Sequence, residues 1–216
     1  MQIRKTVKKI ISELDKSSPW PVFYQFIMTP EERSLFDKTI KHSKVYLEFG
    51  MGGSTIRALK KSKAKIYSVD SSAEWIRSLR KYFLVRYMEK KRLLLFHMDI
   101  GPTKDWGAPV STDLKERFPA YSSGVFSLIR KDTIDTVLID GRFRVACALK
   151  TILECYSNTG LTILVHDFWN REEYHMLLNY LSEAGRAGTL GAFVIKKDID
   201  LDLARNDYEL YKYNPA

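Results

Sequence analysis

The sequence has only two cysteines and no long uninterrupted apolar segment. Cys147 and Cys155 lie two turns apart on one predicted helix, so their sulfur atoms are too far apart to form a disulfide. We expect both to be reduced thiols in the core. The apolar runs are far shorter than the roughly 20 residues that cross a bilayer, and residues 1–16 lack the apolar centre of a secretory signal. These absences predict a cytoplasmic protein without a membrane span.

Internal repeats, low-complexity tracts and Pro/Gly-rich linkers are also missing. A chain of 216 residues with 45% hydrophobic side chains can bury one sizeable core. We predict one domain at residues 41–216, preceded by a helical extension at residues 1–40 that either forms a lid over a ligand cleft or simply packs against the domain. The net charge of +9 favours an anionic partner, such as nucleic acid, a phosphorylated metabolite, an acidic glycan or a lipid surface. The composition gives no oligomeric state.

Strand-like and helix-like segments alternate along most of the chain. Short aliphatic runs predict buried strands, and amphipathic stretches between them predict helices. The predicted strands are Val45 to Phe49, Lys65 to Val69, Leu93 to His97, Ile134 to Ile139 and Leu161 to Val165, and the helices are Ser54 to Lys61, Ala73 to Lys90 and Phe143 to Tyr156. This pattern predicts a doubly wound, Rossmann-like, mostly parallel α/β sheet that binds ligands at the carboxyl ends of its strands.

The two ends of the chain depart from this pattern. Before the first strand, helices are expected at Ile3 to Leu14 and around Glu31 to Ile40. After the fifth strand, a helix is expected at Tyr174 to Ala184. Ala192 to Lys197 and Tyr208 to Tyr213 are predicted to pair as two antiparallel strands. The complete sheet would then have seven strands.

The most informative motif is a glycine-rich turn after the first predicted strand. Glu48 is followed by Gly50, Gly52, Gly53 and Ser54, where the next helix begins. Glycines permit positive φ angles and let backbone amides approach a ligand closely. The sixth position of the turn is not the glycine that a dinucleotide-binding fingerprint requires, and no Gly-Lys-Ser/Thr follows for a P-loop. Glu48 would repel a pyrophosphate and attract a cationic amino-acid group.

This turn resembles the first motif of the class I S-adenosylmethionine-dependent methyltransferases, an acidic residue followed by glycines at alternate positions. Glu48, Gly50 and Gly52 match the motif, whereas Ser54 replaces the last glycine after an additional Gly53. The resemblance covers roughly residues 45–213 and implies a transferase that binds S-adenosylmethionine around these five residues. It also implies a sheet that ends in an antiparallel strand pair.

Two aspartates at the ends of the next strands extend the resemblance. Asp70 closes the second predicted strand, 22 residues after Glu48, where the family binds the ribose hydroxyls of the cofactor. A helix cap is the other role that its sequence context suggests. Asp99 follows the third strand, where the family accepts a hydrogen bond from the adenine amino group. Its alternative is a turn-forming role before Gly101.

Further candidates follow the fourth and fifth strands, where the family keeps catalytic residues. Asp140 should face the cleft, and His166 is the side chain best suited to remove a proton from a hydroxyl acceptor. Asp140 and Asp167 match two of the three magnesium positions of the catechol-type O-methyltransferases, but Phe168 stands where the asparagine would be. The use of magnesium therefore stays open. Arg142 is the expected clamp for a carboxylate or phosphate of the substrate.

The sequence thus predicts methyl transfer to a small anionic or polyhydroxylated acceptor, with oxygen favoured over nitrogen. One alternative is an RNA-directed methyltransferase that uses the basic surface and its aromatic residues. Against it, Asp140-Gly141-Arg142-Phe143 is neither the Pro-Pro-aromatic tetrapeptide of the enzymes that methylate amino groups in nucleic acids nor the Pro-Cys pair of the cytosine C5 enzymes. The other alternative is a sensor or partner subunit that binds the cofactor without turnover.

Overall fold

Seven strands form one sheet within the part of the chain that the structure describes, residues 11–216 of a computed structural model. The strands are β1 Val45–Phe49, β2 Lys65–Asp70, β3 Leu93–His97, β4 Thr136–Ile139, β5 Thr162–Val165, β6 Leu181–Ala187 and β7 Leu190–Ile195. Their spatial order is β3-β2-β1-β4-β5-β7-β6. Strands β1 to β5 are parallel, and β7 is antiparallel to both β5 and β6. The predicted fold class is confirmed.

The helices cover the sheet between the strands. They are α1 Pro30–Ile40, α2 Gly53–Lys61, α3 Ala73–Leu79, α4 Phe83–Glu89, α5 Pro119–Ser123, α6 Arg144–Cys155 and α7 Leu201–Tyr211. The single helix expected at residues 73–90 is therefore two helices. Residues 11–15 are also helical, whereas the rest of the helix expected at Ile3 to Leu14 lies outside the described residues. No helix among residues 11–216 is long and apolar enough to cross a membrane.

The core consists of two hydrophobic clusters on opposite faces of the sheet. Successive residues of a strand point to opposite faces, and accordingly Leu47 belongs to one cluster and Tyr46 to the other. The cluster around Tyr46 includes Phe36 and Ile40 of α1, both of which are fully buried. The helix that precedes the first strand is therefore part of the core. Both cysteines are buried free thiols, as expected.

The predicted position of the antiparallel pair is wrong. The strand expected at Ala192 to Lys197 overlaps β7, but its partner is β6, which precedes it through a short turn at Gly188. The helix expected at Tyr174 to Ala184 is replaced by a 3₁₀ helix at Glu172–Asn179 and the first part of β6.

The segment Tyr208 to Tyr213, predicted as the second strand of the pair, lies mostly in α7. Three tyrosines among its six residues make it resemble a strand in sequence, because aromatic residues are enriched in strands. The burial of Ala204 and Tyr208, four residues apart, shows instead the spacing of one helix face. Asp200 caps this helix by accepting hydrogen bonds from the backbone N–H groups of residues 202 and 203.

Candidate active site

A cleft of about 1350 Å³ lies at the carboxyl ends of the parallel strands. At its centre, Gly50 has a φ of +92°, a backbone conformation that side chains rarely adopt. A Cβ atom at Gly50 would lie 2.6 Å from the backbone of Gly141. The turns after β1 and β4 therefore contact each other backbone to backbone. Residues 50–54 line the cleft, so the predicted cofactor residues of this turn lie on its wall.

Glu48 lies beneath the glycine turn and is not on the wall of the cleft. Its fully buried carboxylate accepts hydrogen bonds from Tyr46 Oη at 2.9 Å, from Ser68 Oγ at 2.6 Å and from Thr55 Oγ1. Thr55 Oγ1 in turn accepts a hydrogen bond from Gly52 N at 2.9 Å. Burial raises the pKa of Glu48, and the hydroxyl donors oppose that rise. Glu48 therefore has a bracing role: it stabilises the glycine turn through these hydrogen bonds. Its carboxylate is not in reach of a ligand in the cleft.

Asp70, at the end of β2, does line the cleft. Its Oδ1 accepts a hydrogen bond from Ser72 N at 2.8 Å, and its Oδ2 accepts one from Met51 N at 3.3 Å. The residue is only 8% exposed, and burial raises its pKa to about 6. The cap of α3 is Ser72, whose side chain accepts from Trp75 N. Asp70 therefore shapes the adjoining turns and still presents a carboxylate to the cleft.

Asp99 also lines the cleft, on a wall formed by the loop that follows β3. Its Oδ1 accepts a hydrogen bond from Gly101 N at 2.9 Å, which is the turn-forming role weighed from the sequence. Its Oδ2 forms an exposed ion pair with Arg117 Nη1 at 2.9 Å. The loop is fixed to the Asp70 side of the cleft because Ser71 Oγ donates to Gly107 O at 2.9 Å. A role of Asp99 in adenine binding stays a prediction.

At the other end of the cleft, six charged side chains form one chain in which negative and positive groups alternate. The contacts are Glu32 Oε2 to His166 Nε2 at 3.7 Å, His166 Nδ1 to Asp140 Oδ1 at 2.9 Å, Asp140 Oδ1 to Arg144 Nη2 at 3.3 Å, Arg144 Nη1 to Asp167 Oδ2 at 3.0 Å, and Asp167 Oδ2 to Arg171 Nη2 at 3.6 Å. We refer to this group as the charge chain. The predicted catalytic residues Asp140, His166 and Asp167 are thereby brought together.

His166 is a buried member of the charge chain that lines the cleft, with 8% of its surface exposed. Burial alone would lower the pKa of the imidazole. The hydrogen bond and the charge of Asp140, together with the charge of Asp167, outweigh burial and raise the pKa. Arg144 Nη1 also donates to the backbone carbonyl of His166 at 2.6 Å, which fixes the strand end. The environment therefore favours the protonated ring.

Glu32 is the functional candidate that sequence reasoning missed. With Thr29 it forms a capping box, in which Thr29 N donates to Glu32 Oε2 at 2.7 Å. Thr189 donates to Glu32 Oε1 from its backbone N at 2.8 Å and from its hydroxyl at 2.7 Å. Burial alone would raise the pKa of Glu32, but these hydrogen bonds lower it to about 2. The Thr-x-x-Glu pattern could have indicated the cap, but not the contact with His166.

Arg142 lines the cleft beside the charge chain. Its Nε is buried and has no hydrogen-bond partner among residues 11–216. Burial and the nearby Arg144 lower the pKa of its guanidinium. Because the positive and negative groups of the charge chain balance one another when His166 is protonated, Arg142 adds an uncompensated positive charge to this end of the cleft.

The acidic residues of the site do not fit a magnesium ion. The Arg144 guanidinium lies between Asp140 and Asp167, 3.3 Å and 3.0 Å from their carboxylates. A cation already stands where the resemblance would put the metal, and a second cation there would be repelled. No three His, Cys, Asp or Glu side chains in the described part of the chain are grouped so as to hold a metal ion.

Comparisons with known proteins agree with this fold. No protein-family model and no curated protein sequence matches the chain. A methyltransferase-like protein from Silicibacter pomeroyi has 27% sequence identity and a TM-score of 0.75, with 89% of this chain and 98% of that chain covered. A protein from Corynebacterium glutamicum is similar in fold alone, with 11% identity, a TM-score of 0.50 and coverage of 80% and 84%. An rRNA methylase from Streptococcus thermophilus, with a TM-score of 0.47, is too distant to inform the acceptor.

The chain has the fold of the class I S-adenosylmethionine-dependent methyltransferases, as its motifs predicted. Its structural neighbours are consistent with an enzyme of this kind.

Proposed function

We propose that the protein transfers a methyl group from S-adenosylmethionine to an anionic acceptor, which binds at the Arg142 end of the cleft and receives the group on oxygen. The observation that carries the proposal is the division of one cleft into two unlike halves. One half consists of the glycine turn with Asp70 and Asp99, and the other of Arg142 beside the charge chain. The methyltransferase-like protein that shares 27% identity with this chain supports the cofactor half.

In the cofactor half, the backbone amides of Gly53 and Ser54, the first two residues of α2, can hold the carboxylate of the cofactor's amino-acid group. Asp70 can accept hydrogen bonds from both ribose hydroxyls, and Asp99 can accept one from the adenine amino group. Glu48 acts indirectly, because it holds Thr55 and through Thr55 the amide of Gly52. When bound, S-adenosylmethionine supplies a methyl group that carries the positive charge of a sulfonium.

In the acceptor half, Arg142 forms no ion pair with any of residues 11–216, and its buried Nε can donate to a carboxylate or phosphate. Methyl transfer is an in-line displacement, so the main task of these residues is alignment of the two reactants. Arg144 holds Asp140 and Asp167 on either side of itself and thereby keeps this wall rigid.

The cofactor half is tested by calorimetric titration of the purified protein with S-adenosylhomocysteine, with NAD as the competing ligand. We expect S-adenosylhomocysteine to bind in the micromolar range and NAD not to compete. Preference for NAD, or no binding of S-adenosylhomocysteine, would overturn the proposal. An Asp70→Asn variant that bound as tightly as the native protein would remove Asp70 from the proposed contacts.

The acceptor half is tested with Arg142→Met in an assay that follows radioactive methyl transfer to a panel of small carboxylates and phosphate esters. Loss of one charged hydrogen bond should lower kcat/KM at least about tenfold, with S-adenosylhomocysteine affinity unchanged. Arg205→Met is the matched control, because Arg205 is an exposed residue of α7 that pairs with Asp202. Equal activity of the Arg142 variant and the control would contradict the assignment.

RNA is the second candidate acceptor, and one surface feature favours it. Phe83 and Tyr87 are partly exposed and stacked at 5.8 Å on α4, beside the basic residues Lys81, Arg86 and Lys91. Adding total RNA and short oligonucleotides to the same panel separates the two candidates. A protein that binds S-adenosylhomocysteine but methylates nothing in the panel would instead fit the sensor or partner-subunit alternative.

A further inference from the structure

The two ring nitrogens of His166 each face a carboxylate. Nδ1 lies 2.9 Å from Asp140 Oδ1, and Nε2 lies 3.7 Å from Glu32 Oε2. We propose that Glu32 is a positioning residue that keeps His166 protonated, and that the acceptor oxygen is therefore one that is already ionised at neutral pH, such as a carboxylate. The second part rests on the proposed methyl transfer, whereas the first stands on the site alone. This reverses the role of proton acceptor expected for His166 from the sequence.

The first step is that Glu32 is a fixed negative charge. Three donors contact its carboxylate at 2.7 to 2.8 Å, one from Thr29 and two from Thr189. The approach of Thr189 depends on the glycine before it, since a Cβ atom at Gly188 would lie 2.8 Å from Glu32 Oε1. A carboxylate that accepts several hydrogen bonds in a buried position remains ionised at any pH near neutrality. It cannot move away from His166 without breaking all three contacts.

The second step concerns the hydrogen-bonding capacity of imidazole. A protonated ring has two N–H donors, whereas a neutral ring has one donor and one lone pair. Between Asp140 and Glu32, a neutral ring would turn its lone pair toward one of the two carboxylates. Asp167 Oδ1 is a third negative group, 3.8 Å from Nδ1. The nearby Arg144 guanidinium acts in the opposite direction, because its positive charge lowers the pKa of His166. Three carboxylates around one imidazole favour the imidazolium.

The third step is that none of the three bases predicted from the sequence, Asp140, His166 and Asp167, is free of a charged partner. His166 as an imidazolium has no free lone pair to accept a proton. Asp140 is held by His166 and Arg144, and Asp167 is held by Arg144 and Arg171. A proton from the acceptor would have to compete with these cations for the carboxylate oxygens. This wall of the site is suited to bind and align an anion and is poorly suited to deprotonate an alcohol.

An ionised oxygen needs no base. Its electron pair forms the bond to the methyl carbon, the bond between that carbon and sulfur breaks, and the electron pair of that bond stays on sulfur. No proton moves, and the negative charge of the acceptor and the positive charge of the sulfonium disappear together. Arg142 pairs with the anion before the reaction, and its buried Nε, which has no hydrogen-bond partner among residues 11–216, is the donor that selects an anionic acceptor.

The charge state of His166 is measured by NMR titration of the imidazole resonances of the full-length protein, assigned by their absence in His166→Asn. In the native protein we expect the pKa of His166 to lie above the ordinary 6.5. Glu32→Gln should lower it by about one unit, since an opposite charge at this distance has an effect of that order. Glu31→Gln is the matched control, because it removes the same charge from the exposed neighbouring position. A native His166 that is neutral at pH 7, or a Glu32→Gln variant with an unchanged pKa, would overturn the first part.

The chemistry is tested with tritiated S-adenosylmethionine and pairs of small probes, each a carboxylic acid and the alcohol with the same carbon skeleton. Methyl esters release volatile methanol in alkali, whereas methyl ethers do not. We expect only the carboxylic acids to become labelled, and all of their label to be released by alkali. The rate of transfer should not follow the ionisation of His166 as the pH changes. Alkali-stable label, or preference for the alcohols, would overturn the second part. Binding of S-adenosylhomocysteine, measured in parallel, shows whether a failure belongs to the proposed function instead.

Discussion

Lowering the pH from about 7 to about 5 should weaken the binding of S-adenosylhomocysteine through Asp70. The carboxylate can accept hydrogen bonds from two ribose hydroxyls only when it is ionised, and burial raises its pKa to about 6. The ionised fraction is then about nine-tenths at the higher pH and about one-tenth at the lower. The dissociation constant should therefore rise about tenfold, which corresponds to about 1.4 kcal/mol of binding free energy.

The assay is isothermal titration at several pH values, with Asp70→Asn as the control. An asparagine does not titrate, so the variant should bind more weakly at every pH and lose this pH dependence, while His97 and the other histidines stay in place. Unfolding through the titration of Asp70 or Glu32 would not explain the weaker binding at pH 5. A carboxyl whose pKa rises from 3.8 to about 6 on folding favours the folded state more as the pH falls. Glu32, with a pKa of about 2, loses its stabilising effect only below about pH 4.5.

Two results would refute this reasoning. One is an affinity of the native protein that stays constant across the range, which would mean that the Asp70 carboxylate does not contact the ligand. The other is an equally pH-dependent affinity of Asp70→Asn, which would assign the dependence to another group.

Three further predictions follow from contacts in the site. Glu48→Ala leaves three buried hydroxyls without their acceptor, so urea denaturation should show a loss of at least about 3 kcal/mol in the free energy of unfolding; a loss below about 1 kcal/mol would contradict the bracing role. Gly50→Ala should lower the affinity for S-adenosylhomocysteine more than about tenfold, because its Cβ would collide with Gly141 and the residue keeps a positive φ. Gly160→Ala, whose Cβ would meet nothing within 4 Å, should bind normally, and equal affinities of the two variants would disprove this effect. EDTA should leave methyl transfer unchanged, since the Arg144 guanidinium lies between the two acidic side chains; activity that magnesium restores after chelation would show otherwise.

The placement of the glycine turn, Asp70 and Asp99 around one cleft could be predicted because its signals are local. The glycine turn directly follows its strand, and Asp70 and Asp99 follow the next two strands, so the order of elements brings all of them to one edge of the sheet. The same rule brought Asp140 and His166 together. Local sequence did not show that Glu48 points into the core, because a strand buried on both faces has no polar side that would reveal the direction of a carboxylate.

The errors concern features that depend on contacts distant in sequence. Glu32 meets Thr189, 157 residues further along the chain, and its own neighbourhood indicates only a helix cap. The last strands were misplaced because β6, with the sequence LSEAGRA, carries none of the β-branched residues that mark a strand. Its stability comes from pairing with β7 along its length.

The contact between Gly50 and Gly141 joins the two halves of the cleft mechanically. No side chain separates the two loops, and a Cβ atom at Gly141 would in turn lie 2.8 Å from Gly50 N. A displacement of the loop after β4 is therefore transmitted directly to the loop after β1. An acceptor that shifts the first of these loops changes the affinity for the cofactor, and by thermodynamic reciprocity the cofactor changes the affinity for that acceptor by the same factor. The coupling between the two affinities thus depends on the absence of Cβ atoms at Gly50 and Gly141.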